Sequence, residues 1–222
     1  MNEWATRIMQ TDEEHARRVM AENKQRMLAG DWYIADDPEL RADTERRIEL
    51  CEAFNAAARA TPAARRKILE ELLGSVGEGV AIRAPFHCDY GSFITIGPRT
   101  FINFGAVFLD AAPITIGADV QIGPNVQLLT PSHELDTERR RAGWEKADPV
   151  TIGDNVWLGG GVIVCPGVTI GADTVVGAGS VVTKDLPSGV LAVGNPARVI
   201  RALARGGGAA EGEEGEAAEP GG

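Results

Sequence analysis

The feature that most restricts what this chain can fold into is a period of six. Aliphatic residues followed by a small or polar one recur at Ile96-Gly97 and Ile102-Asn103, then at Ile116-Gly117, Ile122-Gly123 and Leu128. They recur again at Ile152-Gly153, Leu158-Gly159, Val164-Cys165, Ile170-Gly171, Val176-Gly177 and Val182-Thr183. A short fixed period is the mark of a solenoid, in which each repeat buries its apolar side only by stacking on its neighbours. Six residues supply one short strand and one corner, so three hexads, about 18 residues, make a triangular coil with the aliphatic residue pointing in. The small residue that follows is read as the one that permits the corner. The 24 positions between Leu128 and Ile152 are four sixes, so the phase is expected to survive a break there. Ordinary hairpins would instead need period-two alternation and turn pairs such as Asn-Gly.

Composition divides the rest. Residues 1–75 are charged and rich in Ala, Leu, Arg and Glu, and read as a helical cap. A first helix is predicted from Asp12-Glu13-Glu14 to Gly30, a second from Pro38 through Leu40, Ile48, Leu50, Cys51 and Phe54, and a third after Pro62 through Leu72 and Leu73. Residues 76–203 carry the repeat, interrupted by an extended loop over 134–149. Residues 204–222 form an acidic Gly/Ala tail with five glutamates and no bulky apolar side chain, which is expected to be disordered. With 27 glycines and 5% aromatic residues, a core rich in Phe and Trp is not expected.

The formal charge of −10 is the wrong sign for a general binder of nucleic acid. No apolar run approaches the ~18 residues of a membrane span, and the start MNEWATRIMQTDEEHARR lacks a basic stretch followed by an apolar one, so a cytoplasmic protein with no membrane partner is expected. Cys51, Cys88 and Cys165 are an odd set without CxxC spacing and read as small hydrophobes. There is no GxSxG elbow, no Walker loop and no GxGxxG after a strand.

From about residue 27 to 203 the sequence resembles the hexapeptide-repeat acyltransferases, and four segments resemble the maltose and galactoside O-acetyltransferase group in particular. These are Met27-Leu28-Ala29-Gly30 with Asp36-Asp37-Pro38-Glu39-Leu40, Pro85 to Gly91 (PFHCDYG), Leu109-Asp110 with Thr130-Pro131-Ser132-His133, and Gly194 to Ile200 (GNPARVI). The resemblance implies a mainly β fold, the left-handed parallel β-helix, with a helical cap, an interrupting loop and active sites between the subunits of a homotrimer. The left-handed sense comes from the resemblance alone, since parallel crossovers are normally right-handed.

The same resemblance implies a set of site residues. His133, at the entrance to the loop, matches the catalytic base, which would take the proton of an acceptor hydroxyl as it attacks an acyl thioester. Gly160, Ala178, Thr183, Lys184, Arg198 and Arg201 match positions that bind acetyl-CoA. Gly160 is also a repeat corner, and Lys184, Arg198, Arg201 and Arg205 are a local group of cations suited to phosphate. Asp36, Asp89, Asn103, Asp110 and Trp157 match the neighbourhood of the acceptor. Asp110 is open to two roles, contacting the acceptor or orienting His133, and Glu134 is a second candidate for orientation. Trp157 either walls the acceptor pocket or packs against a neighbouring subunit.

No metal is expected. A zinc hydratase on the same solenoid would need three histidines, and the chain has only His15, His87 and His133. The alternatives are a non-catalytic hexapeptide-repeat assembly protein and an acetyltransferase for a hydroxylated acceptor other than a sugar.

Overall fold

The computed structural model describes residues 22–204. Short parallel strands stack into three sheets that form the faces of a prism. The first face is built from Ser75–Val76, Ile94–Ile96, Ile114–Ile116, Val150–Ile152 and Thr169–Ile170. The second runs through Ala81–Ile82, Phe101–Ile102, Gln121–Ile122, Trp157–Leu158, Val175–Val176 and Val190–Val193, and closes with the antiparallel return strand Arg198–Ala202. The third contains Phe86–Cys88, Ala106–Leu109, Gln127–Leu129, Ile163–Val164 and Val181–Val182. The chain visits the faces in that order in every coil, so a residue from each face fills the interior at each level. Ile116, Ile122 and Leu128, and above them Ile152, Leu158 and Val164, are at most 1% exposed. Each such side chain contributes roughly 1.5–3 kcal/mol of burial.

The small residue after each aliphatic one has a different cause from the one the sequence suggests. A Cβ on Gly97 would lie 2.5 Å from the carbonyl carbon of Gly117 in the next coil, and one on Gly153 would lie 2.6 Å from the amide nitrogen of Ala172. Close stacking excludes the side chain. The turn itself is made two residues later, where Arg99, Asp119, Asn155 and Asp173 adopt left-handed backbone with φ between 54° and 59°. Such corner residues also pair along the stack: Arg99 grips Asp119 with two 2.6 Å bonds, and Asn155 donates to Asp173 at 2.8 Å.

The period is also not uniform. In the lower coils the register pairs residues 20 apart, as Thr95 with Thr115, whereas Thr151 pairs with Thr169, 18 apart. The extra residues lie at the corner between the third and first faces, around Asp110–Pro113. The 24 positions from Leu128 to Ile152 cross that one corner, since Ile152 stacks directly on Ile116. The conserved phase across the break is therefore a coincidence of length.

Helices α1 (Asn23–Leu28), α2 (Pro38–Ala56) and α3 (Pro62–Leu72) precede the solenoid. Asp37 caps α2 by accepting from the N–H groups of Glu39 and Leu40, Thr61 caps α3, and α2 and α3 both have proline in the first turn. Cys51, Phe54, Leu69 and Leu72 from α2 and α3 complete the core at the open end of the lowest coil. Composition argued against an aromatic core, and in the upper coils the interior is aliphatic. At the cap seam, however, Phe54, Phe86 and Phe108 pack edge to face with centroids 6.5 and 5.4 Å apart. Cys51 and Cys88 are buried free thiols 3.6 Å apart across the same seam. The predicted start of the first helix, His15, Arg205 and the acidic tail lie outside the described residues.

Candidate active site

At the corner between the third and first faces the chain leaves the stack after Leu129 and returns at Val150. Buried Thr130 pins the exit, donating to the Leu109 carbonyl at 2.6 Å and accepting from the Ala112 N–H at 2.9 Å. The excursion is more ordered than a plain loop. Pro131–His133 pairs antiparallel with Trp144–Ala147, and that strand pairs antiparallel with Tyr33–Ile34 from the cap. A short helix, α4 (Thr137–Arg141), capped by Asp136, forms the tip. Arg139 lies between the rings of Trp32 and Trp144, 5.6 and 5.2 Å from their centroids, and pairs with Glu134 at 3.0 Å. These contacts clamp the tip to the cap.

The register of this small sheet places His133 opposite Glu145 and Glu145 opposite Tyr33. Residues directly opposite across strands present their side chains on the same face. His133 Nδ1 is 3.8 Å from Glu145 Oε2, and the histidine side chain is 62% exposed, which leaves it accessible to a small molecule. Glu134, the orienting candidate named from sequence, turns instead to Arg139 and to the N–H of Leu135. Glu145 was missed, because nothing in a single sequence announces the register of an inserted hairpin. Tyr33, on the far side of Glu145, is fully buried, and its hydroxyl has no hydrogen-bond partner among the described residues. Burial, and then the Glu145 carboxylate, push its phenol above the ordinary tyrosine range.

Below this sheet lies an acidic pair. Asp110 is fully buried and accepts from the backbone N–H groups of Asp89 (3.0 Å), Tyr90 (2.8 Å) and Phe93 (3.2 Å). Its carboxylate is thus engaged in shaping the corner of the coil beneath and is shielded from any acceptor, contrary to the contact role considered from sequence. Burial raises its pKa, while these backbone donors oppose the rise. Asp89 is partly exposed, and its carboxyl is pushed up to about 6, by burial first and then by the Asp110 carboxylate, with Arg47 acting in the opposite direction. Asp36 lies on the surface of the cap, paired with Arg41.

A second group of the sequence-selected residues gathers elsewhere. An open groove of about 530 Å³ on the second face is lined by Asn103, Trp157, Gly160 and Ala178, with Phe101 and Leu191. Trp157 projects from its strand and is one of the more exposed large hydrophobic residues among those described. The N–H of Gly160 donates to no backbone carbonyl among the described residues, whereas those of Gly159 and Gly161 do. Beyond the groove, Arg198 and Arg201 are exposed on the return strand, each bonded to a backbone carbonyl beside it. Thr183 and Lys184 are exposed where the last coil turns from the third face. The cations therefore occupy two edges of the last coil. None of His133, Asp36, Asp89 and Asp110 lines the groove. His87 is exposed on the third face, and no cluster of three or more His, Cys, Asp or Glu residues suited to a metal occurs among the described residues.

A stacked parallel prism with a helical cap and a histidine-bearing excursion defines a class, and comparison with known proteins specifies it. The family model described as the maltose acetyltransferase hexapeptide capping motif matches residues 26–77, and that of the bacterial transferase hexapeptide (six repeats) matches residues 149–184. A maltose O-acetyltransferase from Clostridium difficile 630 is 45% identical, with a TM-score of 0.81 over 82% of this chain and 98% of that one. A hexapeptide-repeat acetyltransferase from Vibrio cholerae, solved with acetyl coenzyme A, is 42% identical with a TM-score of 0.77, covering 82% of this chain and 98% of that one. A galactoside acetyltransferase in complex with coenzyme A is 38% identical with a TM-score of 0.79, covering 82% and 91%. The chain belongs to the hexapeptide-repeat acyltransferases, in the maltose and galactoside O-acetyltransferase group, and its prism is the left-handed parallel β-helix of that family.

Proposed function

We propose that the protein transfers an acetyl group from acetyl-CoA directly to a hydroxyl of a sugar-like acceptor in the cytoplasm, with His133 as general base. The observation that carries this reading is the accessible His133 held opposite a carboxylate on a sheet shared by loop and cap. Acetyl-CoA brings an already activated thioester, so the protein has to position the acceptor and remove one proton during attack. With Nδ1 toward Glu145, the Nε2 atom is the one that receives the proton, and Glu145 favours the tautomer that leaves Nε2 free. Asp89, beside this sheet, supplies a hydrogen-bonding group for acceptor hydroxyls, and Asp36 extends that acidic surface on the cap. Asp110 keeps Asp89 in place through the backbone.

The groove on the second face fits the other substrate. Its apolar walls and the N–H of Gly160, which donates to no backbone carbonyl among the described residues, suit an acyl thioester and the negative charge that develops on its oxygen. Ala178 and Thr183 line the approach, and Lys184, Arg198 and Arg201 face the phosphates. Asn103 and Trp157 form the acceptor side of the groove. Because His133 and the groove stand on different parts of one prism, a complete site requires the loop of one chain against the second face of another, which a homotrimer provides.

Subunit mixing tests this arrangement. His133→Ala and Ala178→Arg are each expected to be inactive. After unfolding and refolding together in equal amounts, about a quarter of sites should combine an intact loop with an intact groove, and activity should return to that level. No recovery, with mixed oligomers present, would place the whole site within one chain.

A further inference from the structure

The fully buried hydroxyl of Tyr33 is a polar atom without a partner among the described residues, in a molecule whose other buried polar side chains are paired among those residues. Leaving such a group unpaired is costly, so its position calls for an acceptor. The register shows which one. Tyr33 stands opposite Glu145, whose other cross-strand neighbour is His133. Glu145 is largely shielded, with its side chain 17% exposed, so it has few competing water contacts.

We infer that Tyr33 is a positioning residue for the transfer reaction: its hydroxyl, without a partner among the described residues as it stands, closes on the Glu145 carboxylate opposite it and fixes the oxygen that faces His133. The inference rests on the proposed role of His133 and extends it into the cap. A carboxylate beside a histidine can rotate about its last side-chain bond, presenting either oxygen or neither to the ring. A donor on the opposite side holds one oxygen and leaves the other directed at Nδ1. No proton is transferred along this chain. Tyr33 keeps its own, as its environment favours, and its effect on His133 is exerted through the geometry of Glu145. Tyr33–Ile34 is the only strand the cap adds to the loop sheet among the described residues, so this contact gives the cap a direct part in the site. Tyr90, Asp89 and Asp110 lie in the same acidic neighbourhood, but none of them stands in register with Glu145.

The test is Tyr33→Phe, which removes one oxygen and keeps the ring. The expected result is a fall in kcat of about tenfold with KM for acetyl-CoA unchanged, the scale seen when an orienting partner is lost. The ¹⁵N signals of His133 should shift toward a mixture of tautomers. Glu145→Gln should reproduce both changes, and adding Tyr33→Phe to the Glu145→Gln protein should cause little further loss. An unchanged His133 spectrum together with unchanged kcat, at equal or higher thermal stability, would reduce Tyr33 to a packing residue and overturn the inference. The spectrum needs no turnover. If the wild-type protein transferred no acetyl group, a tautomer shift in Tyr33→Phe would still establish the positioning contact, and its absence would still refute it. If Tyr33→Phe failed to fold, an unaltered His133 spectrum in Glu145→Gln would also overturn the inference.

Discussion

Asp89→Asn should make the protein more stable at neutral pH and less active. The carboxyl of Asp89 is pushed up to about 6, through burial and the nearby Asp110 carboxylate, while an unfolded aspartate titrates near its ordinary value of 3.8. The folded state therefore holds this proton more tightly, and the stability it confers is fully present below about 3.8 and is lost as pH rises through about 6. At pH 8 the folded chain carries a charge it disfavours. The difference corresponds to a penalty on the order of 2–3 kcal/mol after allowance for solvent screening of a partly exposed group. Asparagine is nearly the same shape and carries no charge. The Asp89 carboxylate accepts no hydrogen bond among the described residues, and Arg47 reaches the backbone carbonyl, which the substitution leaves in place. Urea unfolding of both proteins at pH 8 and pH 4.5 measures the effect. The variant should be more stable by about 2–3 kcal/mol at pH 8, shrinking to about 1 kcal/mol at pH 4.5. A gain independent of pH, or a loss at pH 8, would refute the electrostatic account. Retention of a destabilising charge near Glu145 is what a site that trades stability for binding would show.

Two further substitutions test the corner that carries the site. Asp110→Ala leaves three backbone N–H groups without their acceptor and should cost on the order of 3–5 kcal/mol in urea unfolding. A loss under about 1 kcal/mol would mean that water replaces the carboxylate freely. Gly91 sits at φ +78°, and a Cβ there would lie 2.5 Å from the carbonyl oxygen of Leu72. Gly91→Ala should therefore destabilise by at least about 2 kcal/mol, and a neutral result in thermal melts would show that the cap seam yields.

What the sequence reveals follows from how local its cause is. The column Ile116, Ile122, Leu128 is written in the chain because each residue occupies the same station of a coil and answers to the same interior. Helix starts at Asp37-Pro38 and Thr61-Pro62 are equally local, since cap and proline act within one turn. The reason for glycine after isoleucine was not local: at Gly97 it lies in the coil above. The widened corner around Asp110–Pro113 shows in the chain only as the 14 positions from Ile102 to Ile116, two more than two hexads, and it takes the register to assign those two residues to that corner. In the candidate site, His133 was identified by its motif, but Glu145 meets it only through the register of the inserted hairpin, and Tyr33 joins them through pairing with a segment more than a hundred residues away in the chain. Asp110 was picked out with two roles open, contacting the acceptor or orienting His133, and its burial under three backbone donors weighs against the first.

The central claim is that one exposed histidine on the loop drives direct acetyl transfer. The most direct measurement is release of free thiol from acetyl-CoA with a panel of mono- and disaccharides, amino sugars and serine, comparing wild type with His133→Ala alongside acetyl-CoA binding to each. The account predicts acceptor-dependent release by the wild type, a fall of at least ~10² in the variant, and unchanged binding of acetyl-CoA. Turnover that persists in His133→Ala, or a wild type that binds no acetyl-CoA and releases no thiol with any acceptor, would contradict it.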